Sequence, residues 1–553
     1  MSRSAYASCC ARACAAALVA MAAGAAFAQG AAAPAAGGNA PAPSATPAQA
    51  PAPAQNGTPT GPVASVIQRL PPDLVEAAKA QQVSRAVQLI DQGADVNARS
   101  SDGTTALLWA VHYDELPLIE RLLKAHADVR LINDYGASAL SQAAGYGDTA
   151  VMEKLLTAGA DAESANADGQ TPLMIIARTD NVAAAELLIR HGANVNAVEK
   201  WRGQTALHWA AAQGQAAMVR ELLRHHANPN VRSAFDNWQR QVTAEPRVQA
   251  RPTGGFTPLI YAARQGCIAC AQYLIEGGAN PNLTDPDGET PLLIAAENFH
   301  FDLAAYLLKQ HANPNLWDFW GRTPLYATVD LNTLPYGGRP DHISLDSVSS
   351  LKLIELLLDA GANPNAQLKL FPPYRSLGAD RGGDGNITTG TTPLARAARA
   401  GDTAAMRLLL AHGASVSLPN RFGNTPLMAA SGLGASNVDT RGKYKTQQEA
   451  VVSIDLLVAA GADVNAGDGR GDTALHGAAS WGWNDVVRSL VAHHADPLKK
   501  DAQGFTAIDA ALGHGVIHGR GGSVEVHQDT ADLLKQLTAT NATAAPNLAS
   551  RTP

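Results

Sequence analysis

Two kinds of short apolar run alternate along most of this 553-residue chain. One is rich in alanine, as in LHWAAAQG (207–214). The other carries a leucine pair, as in MVRELLRHH (218–226). Both predict helices. Alanines on the first let neighbouring helices approach closely, and leucines on the second fill the seam between them. Polar turn strings such as DGQTPL (168–173) and WGRTPL (320–325) precede the alanine-rich run. Their Thr-Pro pair predicts a helix start, because the hydroxyl caps free backbone N–H groups and proline tolerates the first turn.

The pattern recurs. An alanine followed by Asp, Asn or Ser closes the leucine run at Ala94, Ala127, Ala160, Ala193, Ala227, Ala279, Ala312, Ala362, Ala414, Ala462 and Ala495. The first three steps are 33 residues each, and the longest are 48 to 52. One two-helix unit of about 33 residues therefore repeats, in places with an added loop. A degenerate unit, AQGFTAIDAAL from Ala502, follows the last closing signal, which gives about twelve units.

The residue before each closing alanine predicts a left-handed helix end. Seven times it is glycine (Gly93, Gly159, Gly192, Gly278, Gly361, Gly413 and Gly461) and four times histidine (His126, His226, His311 and His494). Glycine takes positive φ without steric cost, and histidine is enriched among the other residues that accept it. The Asn-Pro-Asn that often follows stops the helix and opens a turn.

TALHWAA (205–211), TALHGAA (473–479), and GADVNA at 93–98 and 461–466 resemble the ankyrin repeat, whose strings are T-P-L-H-x-A-A and G-A-D-V-N-A. The resemblance covers roughly residues 70 to 540. It implies an all-α ankyrin-repeat solenoid with β-turn or hairpin tips, placed here at residues 69–541. It also implies that His208 and His476 brace turns, and that partners contact turn tips and the exposed side of the first helix. The chain looks like exported bacterial members with loops in the later repeats.

The ends are different in kind. Arg3 and Arg12, the apolar run Ala13–Ala25 and the small residues Ala26–Ala28 read as a signal peptide over residues 1–28, cleaved after Ala28. Residues 29–68 are an Ala/Pro-rich linker unable to bury a core, and 542–553 form a similar tail. The expected destination is the periplasm or the exterior of a bacterium. No other segment is long and apolar enough to span a membrane. The net charge of −7, with no long basic run, argues against nucleic acid.

Candidate chemistry is sparse. Cys267 and Cys270 form a C-x-x-C at a helix start, where a thiol pKa falls. They read as a redox pair or, more simply, as core, since Cys270 takes the slot of Val219, Leu303 and Val486. The rim histidines lie too far apart to share a metal. No phosphate-binding, zinc-protease or serine-nucleophile motif appears. No cofactor, no metal and no catalysis are therefore expected.

Binding is the better prospect. Tyr135, Trp201, Arg202, Trp317, Phe319, Trp320, Arg322, Arg421 and Phe422 occupy tip slots in a chain that is only 5% aromatic. Trp, Tyr and Arg are favoured interface anchors. The competing reading packs these aromatics on adjacent turns. Tyr146 and Trp481, after the first helix, are placed on the same side. Insertions near 234–252 and 369–389 enlarge turns between repeats. Those near 332–348 and 434–449 enlarge connections within a repeat. Tyr336, Arg339, Tyr374, Arg375, Arg441 and Tyr444 give the last three an aromatic and a cation each. The sequence thus reads as an exported, monomeric, non-catalytic scaffold that binds a protein. Three alternatives stay open: a redox role for Cys267 and Cys270, ligand or glycan binding by the loop tyrosines, and an effector acting on a foreign host protein.

Overall fold

The structure is a computed structural model that describes residues 73–236, 253–333, 344–370, 386–435, 445–515 and 525–544. The expected signal peptide, the whole linker and the central parts of all four insertions lie outside these residues. Contacts divide the chain into a unit ending at Asp128 and a second beginning at Val129. In the first, helices Asp73–Lys79 and Val83–Asp91 make one pair, and Ala106–His112 and Leu116–Lys124 another. The second carries the later pairs, from Ala139–Tyr146 with Thr149–Thr157 to Ala507–Ala511 with Gln528–Ala544. The last helix passes the boundary at 541 expected from composition.

Local chemistry starts each pair. Thr171, Thr257, Thr290, Thr323, Thr392 and Thr425 each accept a backbone N–H from the third helical residue, and a proline follows each of them. Second helices are capped by Asp148, Asn181, Ser349, Asp402 and Thr446. They end as expected. His126, His226, His311 and His494 take φ between 61° and 69°, and the seven glycines in that slot between 82° and 93°.

In the second unit each first helix packs on the next first helix, and each second helix on the next second helix. One leucine from each seam pair, including Leu188, Leu222, Leu307, Leu357, Leu409 and Leu457, is fully buried. Its neighbour is less so; Leu223 is half-buried. Alanines such as Ala210, Ala262, Ala295 and Ala397 are fully buried between the first helices.

The asparagines hold the turns of successive repeats together. Asn230 Oδ1 accepts the Asn280 N–H (2.8 Å), and its Nδ2 donates to the Gly278 carbonyl (2.9 Å). Asn315 does the same to Asn363 and Gly361, and Asn365 to Ser415 and Gly413. Asn196 and Asn465 do so to turns ended by histidine, His226 and His494. Three of these rungs span insertions, so the stack continues past each of them. At Ser417 the slot has no amide, and its hydroxyl turns back to Ser415 (3.1 Å). The sequence reading gave this asparagine only a turn-opening role.

One insertion begins and ends on a two-residue antiparallel ladder, Phe235–Asp236 against Thr253–Gly254. Among the described residues no helix is long and apolar enough to cross a membrane.

His208 joins two repeats. It is fully buried. Its Nδ1 accepts the Thr205 N–H (3.0 Å), so its Nε2 carries the proton and donates to the Phe256 carbonyl (3.0 Å). His476 repeats this with Thr473 and Phe505. Burial pushes His208 from 6.5 down to about 4.

Two outcomes follow from this packing. Replacing Asn230 with Ala removes two hydrogen bonds and lowers stability by about 1–2 kcal/mol, whereas Asn230→Asp keeps the acceptor and loses about half as much. Denaturant titration checks this, and equal losses would contradict the double rung. Below pH 6.5 the unfolded chain takes up a proton that folded His208 refuses until about pH 4. Stability therefore falls as pH drops through that window, by about 3 kcal/mol in total. His208→Gln removes that share of the slope, and parallel stability curves for the two proteins would refute it.

Candidate partner-binding tips and a buried charge row

Most of the described tips are built on an acid or amide that folds back on its own turn. Asn133 Oδ1 accepts the Tyr135 and Ala137 N–H groups (3.1 and 2.9 Å). Glu199 accepts those of Trp201 and Arg202 (2.6 and 2.7 Å). Asn420 accepts those of Phe422 and Asn424 (2.9 and 3.1 Å). Backbone bonds then tie one tip to the next. Ala234 N–H donates to Arg202 O, Phe319 to Asp287, Arg421 to Thr389 and Gly469 to Phe422 (2.6 to 2.9 Å).

On this frame Tyr135 (71% exposed), Trp201, Trp317 (54%), Phe319 and Phe422 face solvent. Arg202 and Arg421 are exposed beside them. Lys369 sits over the Trp317 ring (5.9 Å), and Arg421 over Phe422 (4.7 Å). Trp481 is half-buried. Its Nε1 donates to Gly432 O (2.9 Å), and its ring stacks on Trp483. Tyr336, Arg339, Tyr374, Arg375, Arg441 and Tyr444 lie outside the described residues.

Two tip residues turn inward, against expectation. Trp320 and Arg322 are buried. Asp318, fully enclosed, accepts their backbone N–H groups (3.0 and 2.7 Å) and also the Arg322 Nε (2.6 Å). The Arg322 guanidinium reaches Glu289 Oε1 (3.3 Å) and Glu297 Oε1, and lies over the Trp320 ring. Three carboxylates around one buried cation leave surplus negative charge. Burial, then Glu297 and Asp285, push the Glu289 carboxyl up to about 8. Burial raises Glu297 and Asp318 as well, against the pull of Arg322.

This cluster belongs to a row along the first helices, which sequence reasoning missed. Four residues after the capping Thr stand Ile175, Trp209 and Tyr261, all half-buried, and then Ile294, Ala327, Arg396, Ala429 and Gly477, all buried. Seven residues after it stand Arg264, exposed; Glu297, half-buried; and Asp330 and Arg399, buried. Arg396 Nε pairs with Asp330 Oδ1. Lys445, also buried, donates from Nζ to the Arg399 and Ala429 carbonyls (2.9 and 2.8 Å). Asn332 Nδ2 donates to Asp402 Oδ2 (2.5 Å). Reading opposite charges in the same slots of successive repeats, such as Glu289 before Thr290 and Arg322 before Thr323, was the available signal.

Cys267 and Cys270 are joined by a disulfide. Cys267 caps helix Ile268–Glu276 by accepting the Cys270 N–H (3.1 Å), and Cys270 is fully buried in the core slot. Among the described residues no group of three His, Cys, Asp or Glu is placed to hold a metal.

The family described as Ankyrin repeats (3 copies) matches residues 74–166, 140–233, 259–368, 342–439 and 447–539. Similar stretches occur in the espin-like protein of Homo sapiens, 37% identical over 70 residues. Another lies in a transient receptor potential cation channel subfamily A member 1 homolog of Caenorhabditis elegans (34% over 122 residues). A third lies in ankyrin repeat and SOCS box protein 11 of Danio rerio (30% over 127). They cover 13, 22 and 23% of this chain, and 6, 9 and 38% of those proteins.

The Arg322 cluster predicts a pH response. Folded Glu289 keeps a proton that the unfolded chain loses near pH 4.5. Its contribution is therefore full below that value and is lost as pH rises through about 8. Glu289→Gln, uncharged throughout, loses less stability between pH 6 and 9 than the unsubstituted chain. Thermal unfolding across that range tests this, and an unchanged slope would contradict a protonated Glu289.

Proposed function

The chain belongs to the ankyrin-repeat family, and from that premise we propose that it is an exported, non-catalytic scaffold that binds a protein partner through its tips. The observation that carries the reading is the set of exposed aromatics, Trp317 and Phe319 foremost, on turns fixed by their own aspartate, glutamate or asparagine and bonded to neighbouring tips. A surface held in place before contact loses little ordering entropy on binding. Large aromatics beside Lys369 and Arg421 supply apolar area and charge together.

Export is supported by the charged, apolar and small-residue order of residues 1–28. The Cys267–Cys270 disulfide suits an oxidising compartment such as the periplasm or the exterior. The bacterial assignment rests on the leader and linker alone, since the relatives named above come from animals. Repetition of the helix pair supports about twelve units working as a monomer, in the manner of solenoids whose repeats contact only their neighbours.

Crosslinking and pull-down from the native envelope, with the full chain and with a Trp317→Ala/Phe319→Ala double variant, test the reading. The expected outcome is a partner whose recovery falls at least ~10-fold with the variant while helical circular dichroism is unchanged. Equal recovery by both chains would contradict tip binding.

A further inference from the structure

The tips of the second unit sort their charges by sign. From Glu199 onward the acids that begin tips turn inward. Glu199, Asp285, Asp318, Asp468 and Asp501 each accept a backbone N–H of their own turn, and none of them is exposed. Among the described tip residues past that point, every exposed charged side chain is a cation: Lys200, Arg202, Lys369, Arg421, Arg470 and Lys500. Two earlier tips differ. There Asn133 and Asn166 hold the turn, and Asp134 and Asp168 stand exposed. An acid that fixes its turn thus also takes its negative charge off the surface.

Cations and apolar groups meet over three consecutive tips. Trp317 and Phe319 stand on one, Lys369 and Leu370 on the next, and Arg421 and Phe422 on the third, all exposed. The Lys369 and Leu370 N–H groups both donate to Trp320 O (2.7 and 3.1 Å), and Arg421 N–H to Thr389 O (2.9 Å). Among the described residues neither Lys369 nor Arg421 pairs with a carboxylate; each lies over a ring instead. Arg470, on the following tip, is held by Asp472 of its own turn (3.3 Å).

This spacing suits an extended chain. Helix layers stand ~8–10 Å apart and an extended chain advances ~3.3 Å per residue, so about every third residue meets a new tip. The charge of the whole molecule limits the guest. It is −7, and the tip cations are not gathered in a run. A nucleic acid or an anionic membrane brings many charges against that field, whereas a segment with a few carboxylates meets only the tips.

We propose that the partner presents an extended acidic segment, with carboxylates on Lys369 and Arg421 and apolar side chains on Trp317, Phe319 and Phe422. The proposal rests on the tip-binding reading above and adds the chemistry that the tips select.

A fluorescein-labelled Glu-Leu-Ser repeat peptide is the probe, and its anisotropy with the full chain is the readout. A Gln-Leu-Ser repeat peptide, single-stranded oligothymidylate and vesicles of anionic phospholipid are the comparisons. The Glu peptide is expected to bind, with an affinity that falls as sodium chloride rises. The Gln peptide should bind at least ~10-fold more weakly. Lys369→Glu/Arg421→Glu reverses two exposed charges and should weaken the Glu peptide at least ~10-fold, with helical circular dichroism unchanged. If that variant loses its helical signal, the comparison of Glu with Gln decides. No saturable binding of the Glu peptide, equal affinity for the Gln peptide, or unchanged affinity in the folded charge-reversed chain would overturn the acidic segment. Tighter binding of the oligothymidylate or the vesicles would overturn the choice of a peptide. Partner recovery separates this from tip binding itself. A partner lost with Trp317→Ala/Phe319→Ala but kept with Lys369→Glu/Arg421→Glu leaves tip binding standing and refutes the acidic segment.

Discussion

A side-chain amide repeated along the second unit, reaching from one turn to the next, sets the register of most of its turns. Asn230 bonds both the Asn280 N–H and the Gly278 carbonyl, and Asn315 and Asn365 repeat the contact. Each bond is modest. Beneath them the fully buried leucines close the seam, and burial of apolar area is the larger favourable term. The amide fixes which turn faces which, and the leucines make that register stable. No pair needs a core of its own, which is why loops of many residues enter between or within pairs without breaking the stack.

Register is also what makes a surface. The tips are bonded to one another through backbone groups, as in Phe319 to Asp287. Outward aromatics such as Trp201 and Trp317 therefore sit at positions fixed by the repeat. On the other side of the same turns, Glu289, Glu297 and Asp318 converge on Arg322, and Asp330 on Arg396. Charges this deep are stable only when paired.

Much of the fold was legible because its determinants are local. Positive φ at Gly278 or His311 follows from sterics within a residue or two, and the Thr-Pro start from unsatisfied N–H groups of the first turn. The period located the insertions. What stayed hidden depends on residues one or two repeats apart. Trp320 and Arg322 read as tip residues because their slots vary, yet Asp318 bends that turn so that both enter the interior. The Arg396–Asp330 pair spans 66 residues, and a periodic reading for apolar faces has no reason to join them. The second role of the Asn-Pro-Asn asparagine was equally invisible, since a turn-former and an inter-turn rung are the same letter.

Hydrogen exchange resolved to single amides tests the continuous register most directly. The N–H groups of Asn280, Asn313, Asn363 and Ser415 are each held by an asparagine of the preceding repeat. A single register predicts that these four amides are protected, with closely similar opening energies on both sides of residues 334–343 and 371–385. Rung amides exchanging at unprotected rates, or repeats on the two sides of an insertion opening independently, would contradict it.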